Sequence, residues 1–95
     1  MHELEIKPHL QKILKKLWKK DKVAYEAVMG KIQEVSVCED VEHYKNLRYD
    51  LKSEKSVHIM KSFVLIFSYD KTKDLITFLD YDHHDNIYAK GPKRK

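Results

Sequence analysis

The densest run of residues able to do chemistry in this sequence is Asp80-Tyr81-Asp82-His83-His84-Asp85-Asn86-Ile87-Tyr88. Aspartates and histidines set this closely can ligate a metal. They can also move protons, because the unperturbed imidazole changes charge near neutral pH. A third reading is bland: an exposed polar turn whose Ile87 and Tyr88 pack back on the core. A second constellation is cationic and aromatic. It gathers His43, Tyr44, Lys45, Asn46, Arg48, Tyr49, Lys52, Lys55, His58 and Lys61. Cations interleaved with flat rings suit single-stranded RNA, whose phosphates need charge and whose splayed bases need stacking partners. A solvated lysine-rich edge would have the same composition.

Other chemistries find little support. Asp82-His83-His84 matches the short signature of the DHH phosphoesterases, but those enzymes need further aspartate motifs along a much longer chain, and nothing upstream supplies them. There is no glycine-rich phosphate loop; Gly30 and Gly91 are the only glycines. Cys38, the single cysteine, cannot form an internal disulfide or a cysteine-based zinc site, and no neighbour activates it as a nucleophile. No cofactor is implied. Trp18, Phe63, Phe67 and Phe78 are expected in the core.

Several elements must position these residues. Leu4 and Ile6 alternate with polar neighbours in His2–Ile6, which predicts a short edge strand. Pro8 occupies the position that favours proline at a helix start. Leu10, Ile13, Leu14, Leu17 and Trp18 then recur at helical spacing, with lysines on the opposite face. Asp21 is the expected N-cap of a second helix with Ala24, Ala27, Val28, Ile32 and Val35 as its buried stripe. With almost no loop between them, the helices should form an antiparallel hairpin. The period then changes to two. Strands are expected at Ser56–Met60, Ser62–Tyr69 and Leu75–Tyr81, with a start at Tyr44–Leu47 and a polar turn at Asp70–Asp74. Phe63-Val64-Leu65-Ile66-Phe67 is apolar on both faces, as in a central strand. On a strand at Ser56–Met60, His58 and Ser56 would face away from Val57 and Ile59. A short helix or irregular cap is expected at His83–Ala89, with residues 90–95 as a flexible basic tail.

At 95 residues the chain is expected to be a single α+β domain, residues 1–95. Its net charge of +4 comes from 19 basic and 15 acidic residues, and is gathered in patches: Met1–Lys20 holds six lysines against two acids. Such patches suit a polyanionic partner. No apolar run is long enough to cross a bilayer, and Met1–Pro8 does not read as a signal peptide. Together with the lone cysteine, this points to the cytoplasm.

In order and spacing the sequence resembles the RelE/ParE superfamily of toxins from type II toxin–antitoxin systems, nearest the archaeal RelE members. Three pieces carry the resemblance. They are the lysine-rich helix hairpin after a short strand, the segment Glu42-His43-Tyr44-Lys45-Asn46-Leu47-Arg48-Tyr49-Asp50-Leu51-Lys52, and the paired strands from Ser62-Phe63-Val64-Leu65-Ile66-Phe67 to His83-His84-Asp85-Asn86-Ile87-Tyr88. The resemblance implies a RelE-like fold: a short N-terminal strand, a helix hairpin, an antiparallel meander of three or more strands and a short C-terminal helix. It implies a ribosome-dependent mRNA interferase, held in a hetero-oligomer by a RelB-like antitoxin and acting on ribosome-bound mRNA. Such enzymes need no metal: the RNA 2′-hydroxyl attacks the adjacent phosphate, leaving a cyclic phosphate and a free 5′-hydroxyl. Mapped by position, His83, His84, Tyr88 and Arg48 are the expected catalytic residues. Lys45, Lys52, Lys55, His58 and Lys61 are the expected RNA- and phosphate-binding residues. The sequence departs from the family at Val64, where an arginine is common. A ParE-like relative acting on a protein such as gyrase is the alternative.

Overall fold

In the computed structural model, residues 2–41, 44, 46–48 and 51–89 are described; of these, the side chains of 46–48, 51–53, 88 and 89 are not. Strand β1 (Glu3–Ile6) leads into helix α1 (Pro8–Lys20), followed by α2 (Lys22–Ser36), β2 (Asn46–Arg48), β3 (Leu51–Ile59), β4 (Phe63–Asp70), β5 (Leu75–His83) and α3 (His84–Ala89). The five strands form one sheet in the order β1-β5-β4-β3-β2. Strands β2 to β5 are an antiparallel meander, and β1 joins its β5 edge in parallel. The helix hairpin carries the chain from β1 at one edge to β2 at the other, and the meander brings it back to β5, which then pairs with β1 in parallel. The apolar run of β4 lies in the middle of the sheet, where both faces can be covered.

Each helix begins as its residues dictate. Pro8 opens α1 with no amide hydrogen to leave unpaired. Asp21 alone separates the two helices, and its carboxylate accepts the Ala24 N–H at 3.1 Å. The hairpin lies on one face of the sheet. Leu10, Leu14, Val28, Ile32 and Val35 pack there against Ile59, Leu65, Phe67, Ile76 and Phe78. Val64, Ile66 and Ile87 form a smaller buried cluster on the opposite face, under α3, with Leu79 packed against it.

Two expectations need correction. Trp18 is not in the core: it is 51% exposed, with Tyr25 edge-on to its ring at 5.1 Å and the Lys22 ammonium 4.7 Å above it. It falls at the margin of the α1 stripe, where aromatic area is shared with solvent. Strand β3 begins at Leu51 rather than Ser56. Its first half, Leu51-Lys52-Ser53-Glu54-Lys55, lacks apolar alternation, and it is pairing with β2, joined by β4 from Glu54 onward, that reveals it. Residues 90–95, read as a tail, lie outside the described residues. No helix among the described residues is long and apolar enough to cross a membrane.

Candidate active site

The polar cluster sits where β5 ends and α3 begins. A β-bulge sets which way it faces. The β4–β5 register passes from Phe67↔Phe78 to Ile66↔Asp80, leaving Leu79 as the extra residue on β5. Ile76 and Phe78 belong to the hairpin-side core, Leu79 packs on the α3 side, and Tyr81 returns to the hairpin side. Strict alternation from Phe78 would have reversed Tyr81 and everything after it. Asp80 holds the bulge. Its buried carboxylate accepts the Tyr81 N–H at 2.8 Å and His9 Nε2 of α1 at 3.1 Å. Burial raises the pKa of the Tyr81 hydroxyl, with the nearby charges of Asp21 and Asp82 adding to the effect, so this ring stays neutral beside the site.

On the α3 face, His58, Val64 and Asp82 stand in one row across β3, β4 and β5. Val64, where the resemblance implies an arginine, is fully buried beneath α3. The Asp82 carboxylate accepts the His83 N–H at 2.7 Å and the Asn86 side-chain amide at 3.1 Å, fastening the first turn of α3 to the strand end. The Ser62 carbonyl accepts the His84 N–H at 2.6 Å, which ties α3 to the Met60–Ser62 turn between β3 and β4. Met60 in that turn has φ 57°, a left-handed conformation that is costly for a side chain of its size and is held here by the paired strands on either side.

These ties bring two expected residues together. The rings of His58 and His84 stack with centroids 5.8 Å apart and planes 29° apart, and both residues are exposed. His84 Nδ1 lies 3.3 Å from Asp85 Oδ1. A carboxylate can only accept, so the ring donates from Nδ1 in this contact. His83 plays a different part. Its Nδ1 accepts the Asp85 N–H at 3.1 Å, capping α3, and its ring meets Phe63 edge-on at 5.5 Å. With Nδ1 accepting, the neutral ring carries its proton on Nε2 and can donate it but not take one up there.

The other expected residues are spread out. Lys61 is exposed in the turn beside His58. Lys55 is set apart: its register with Phe67 puts it on the hairpin side, buried, with its ammonium 3.4 Å from the Tyr44 carbonyl. Arg48 lies in β2, Lys52 in β3 and Tyr88 in α3, but their side chains fall outside the described residues, and Lys45 lies outside them altogether. Reading the sequence for chemistry alone passed over Asp82, Asp85 and Asn86 as positioning residues. The signal was the spacing of Asp82 and Asn86, four residues apart at a strand-to-helix junction. Among the described residues, no three His, Cys, Asp or Glu side chains are grouped to hold a metal ion.

Comparison with known proteins now adds to this geometry. No family model matches the chain. It is 50% identical over 90 residues to a Methanocaldococcus jannaschii protein named "Putative toxin RelE4", covering 95% of this chain and 94% of the relative. Among solved structures, the isolated RelE toxin of E. coli superposes with a TM-score of 0.66 at 15% identity, covering 95% of this chain and 94% of that one. An E. coli RelE mutant in complex with an antitoxin RelBc peptide superposes with a TM-score of 0.64, also at 15% identity, covering 99% of this chain and 97% of that one. At that identity the two structures speak for the fold.

Proposed function

The chain belongs to the RelE-like toxins, and from that premise we propose that it is the toxin of a toxin–antitoxin pair and cleaves ribosome-bound mRNA in the cytoplasm as a metal-independent endoribonuclease. The observation that carries this reading is the exposed His58–His84 stack, with Asp85 orienting one of its rings. In the proposed reaction His84 Nε2 takes the proton of the RNA 2′-hydroxyl. The 2′-oxygen bonds to the adjacent phosphorus, the P–O5′ bond breaks, and the leaving oxygen takes a proton from the Tyr88 hydroxyl to become a 5′-hydroxyl. The products are a cyclic phosphate end and a 5′-hydroxyl end. His58, Lys61, Arg48 and Lys52 are the proposed cations for the phosphate and its extra negative charge in the transition state. Tyr88 remains a proposed catalytic partner of His84, and His83 is assigned to holding α3 in place. Lys55 is left out of the phosphate site because it is buried on the other face.

The buried Val64 bears on the missing arginine. A guanidinium at this position would have to displace the Ile87 contact that seats α3. The cationic function is therefore assigned to exposed neighbours rather than to the strand centre. An antitoxin of the RelB type is the proposed partner, in keeping with the E. coli RelE mutant solved in complex with a RelBc peptide.

The test is to express the chain alone and map mRNA ends by primer extension. Cuts phased to the reading frame, absent when His84→Ala is expressed, are the expected result. Growth arrest with intact mRNA and signs of DNA damage would overturn the ribonuclease reading in favour of a protein target such as gyrase.

A further inference from the structure

The first turn of α1 touches the strand that carries the proposed site. Strand β1 ends at Ile6, opposite Phe78, and the Lys7 N–H donates to the Phe78 carbonyl at 3.0 Å. Helix α1 therefore begins beside β5, just ahead of the bulge at Leu79. From there His9 reaches Asp80: its Nε2 lies 3.1 Å from Asp80 Oδ1, and the two side chains are 61% and 3% exposed. A carboxylate can only accept, so Nε2 donates. The same oxygen accepts the Tyr81 N–H at 2.8 Å, which ties the pair to the backbone of the next residue. A carboxylate withdrawn from water is costly unless donors face it. One of those donors stands on a helix that takes no part in the proposed chemistry.

A chain of contacts runs from this pair to α3. Tyr81, whose amide is held by Asp80, stacks on Phe63 with ring centroids 5.1 Å apart and planes 13° apart. Phe63 meets the His83 ring edge-on at 5.5 Å. His83 Nδ1 accepts the Asp85 N–H and caps α3, and the next residue, His84, stacks on His58. The bulge sets the alternation of everything after it on β5, so a shift at Asp80 is passed on to Tyr81, Asp82 and His83. We propose that His9 is a positioning residue for RNA cleavage: by donating to Asp80 it fixes the bulge and, through Tyr81, Phe63 and His83, the lie of α3 and of the His84 ring. Proton transfer tolerates little error in placement, since a displacement of about 1 Å can cost about 10²-fold in rate. The catalytic half of the proposal rests on the reading of His84 as the base; the structural half, that His9 sets α3, does not.

The experiment compares His9→Ala with His9→Gln, whose amide can still donate to Asp80, in the full chain. Two-dimensional NMR of the imidazole rings reads the geometry directly. His2 is the internal control, because its partner Asp74 lies in the turn at the opposite end of β5 from His83. In His9→Ala the ring signals of His83 and His84 are expected to move while that of His2 stays. Single-turnover cleavage on programmed ribosomes is expected to slow about tenfold or more, with the half-saturating ribosome concentration little changed. His9→Gln should restore most of the rate and return the ring signals toward wild type. Circular dichroism checks that both variants fold, as the exposure of His9 leads us to expect. Any of four results overturns the proposal: His83 and His84 signals unmoved in His9→Ala, an equal movement of His2 that marks a general loosening, a wild-type cleavage rate in His9→Ala, or a rate that falls equally in His9→Gln. A wild-type chain that cleaves no mRNA overturns the reading of His84 instead, and the ring signals then still decide for or against His9 as the residue that sets α3.

Discussion

The two faces of the sheet divide the labour of the molecule. The hairpin face buries a continuous apolar cluster from Leu10 to Tyr81 that takes residues from both helices and from β3, β4 and β5. Among the described residues, the apolar cluster on the α3 face is just Val64, Ile66 and Ile87, and His58 and His84 are exposed beside it. On the first face polar groups are few and satisfied: Ser36 donates to the Gln33 carbonyl, and Lys55 to that of Tyr44. On the second, hydrogen bonds rather than bulk packing seat the short helix, through Asp82, Ser62 and the His83 cap. A fold of this size has one large core to give stability, and the thinner face is where reactive side chains can stay in reach of solvent.

The contrast can be broken from either side. Phe67→Ala removes a fully buried ring from the larger core and should cost about 3–5 kcal/mol, enough to unfold much of the population in a chemical-denaturation experiment. Ile87→Ala should cost less, about 2 kcal/mol, because its cluster is small. Its effect should also be local: hydrogen exchange should quicken in α3 while β4 keeps its protection. Equal loss of protection in both would mean that the two faces unfold as one unit. Asp21→Ala, which removes the α2 cap, should cost about 1 kcal/mol without altering the α3 face.

The smallest effect expected is one of pH. His2 donates from Nε2 to the Cys38 carbonyl at 2.6 Å and from Nδ1 to the Asp74 carboxylate, which also accepts from Tyr69. Both ring nitrogens face acceptors, so the ring is cationic. The Cys38 bond, then Asp74, raise its pKa above 6.5, while His2 and Tyr69 hold Asp74 below 3.8. The histidine's contribution is complete below about pH 6.5 and fades as pH rises through the raised value; the aspartate's is present above about pH 3.8 and fades as pH falls through the lowered one. Thermal unfolding of His2→Gln should therefore differ from wild type most near pH 5 and least near pH 9. A constant difference across that range would show that the clamp acts through packing alone.

Much of this architecture was legible because it rests on local rules. The helical stripe of α1, the Asp21 cap and the doubly apolar β4 each announce themselves within a few residues. What escaped depends on pairing over long distances. The polar first half of β3 is a strand because β2, and from Glu54 onward β4, lie beside it. Trp18 fits the helical period yet falls at the margin of the buried face. The bulge at Leu79 resets the alternation just before the reactive residues, and no motif marks it. Legibility of the site was partial for the same reason. Its histidines stood out by type, but the meeting of His58 with His84, 26 positions apart, is made by the β3–β4 turn and the start of α3. The two histidines differ in what they hold: the His83 ring caps α3, and the His84 ring stacks on His58.

The central claim is that the α3 face carries the chemistry through His84. It is tested most directly by the single-turnover rate of mRNA cleavage on purified programmed ribosomes, comparing wild type with His84→Ala. Loss of a general acid–base group predicts a rate lower by about 10²- to 10⁴-fold, with thermal stability unchanged because the side chain is exposed. A wild-type rate in the variant would contradict the account and return the histidine cluster to a solvated polar turn.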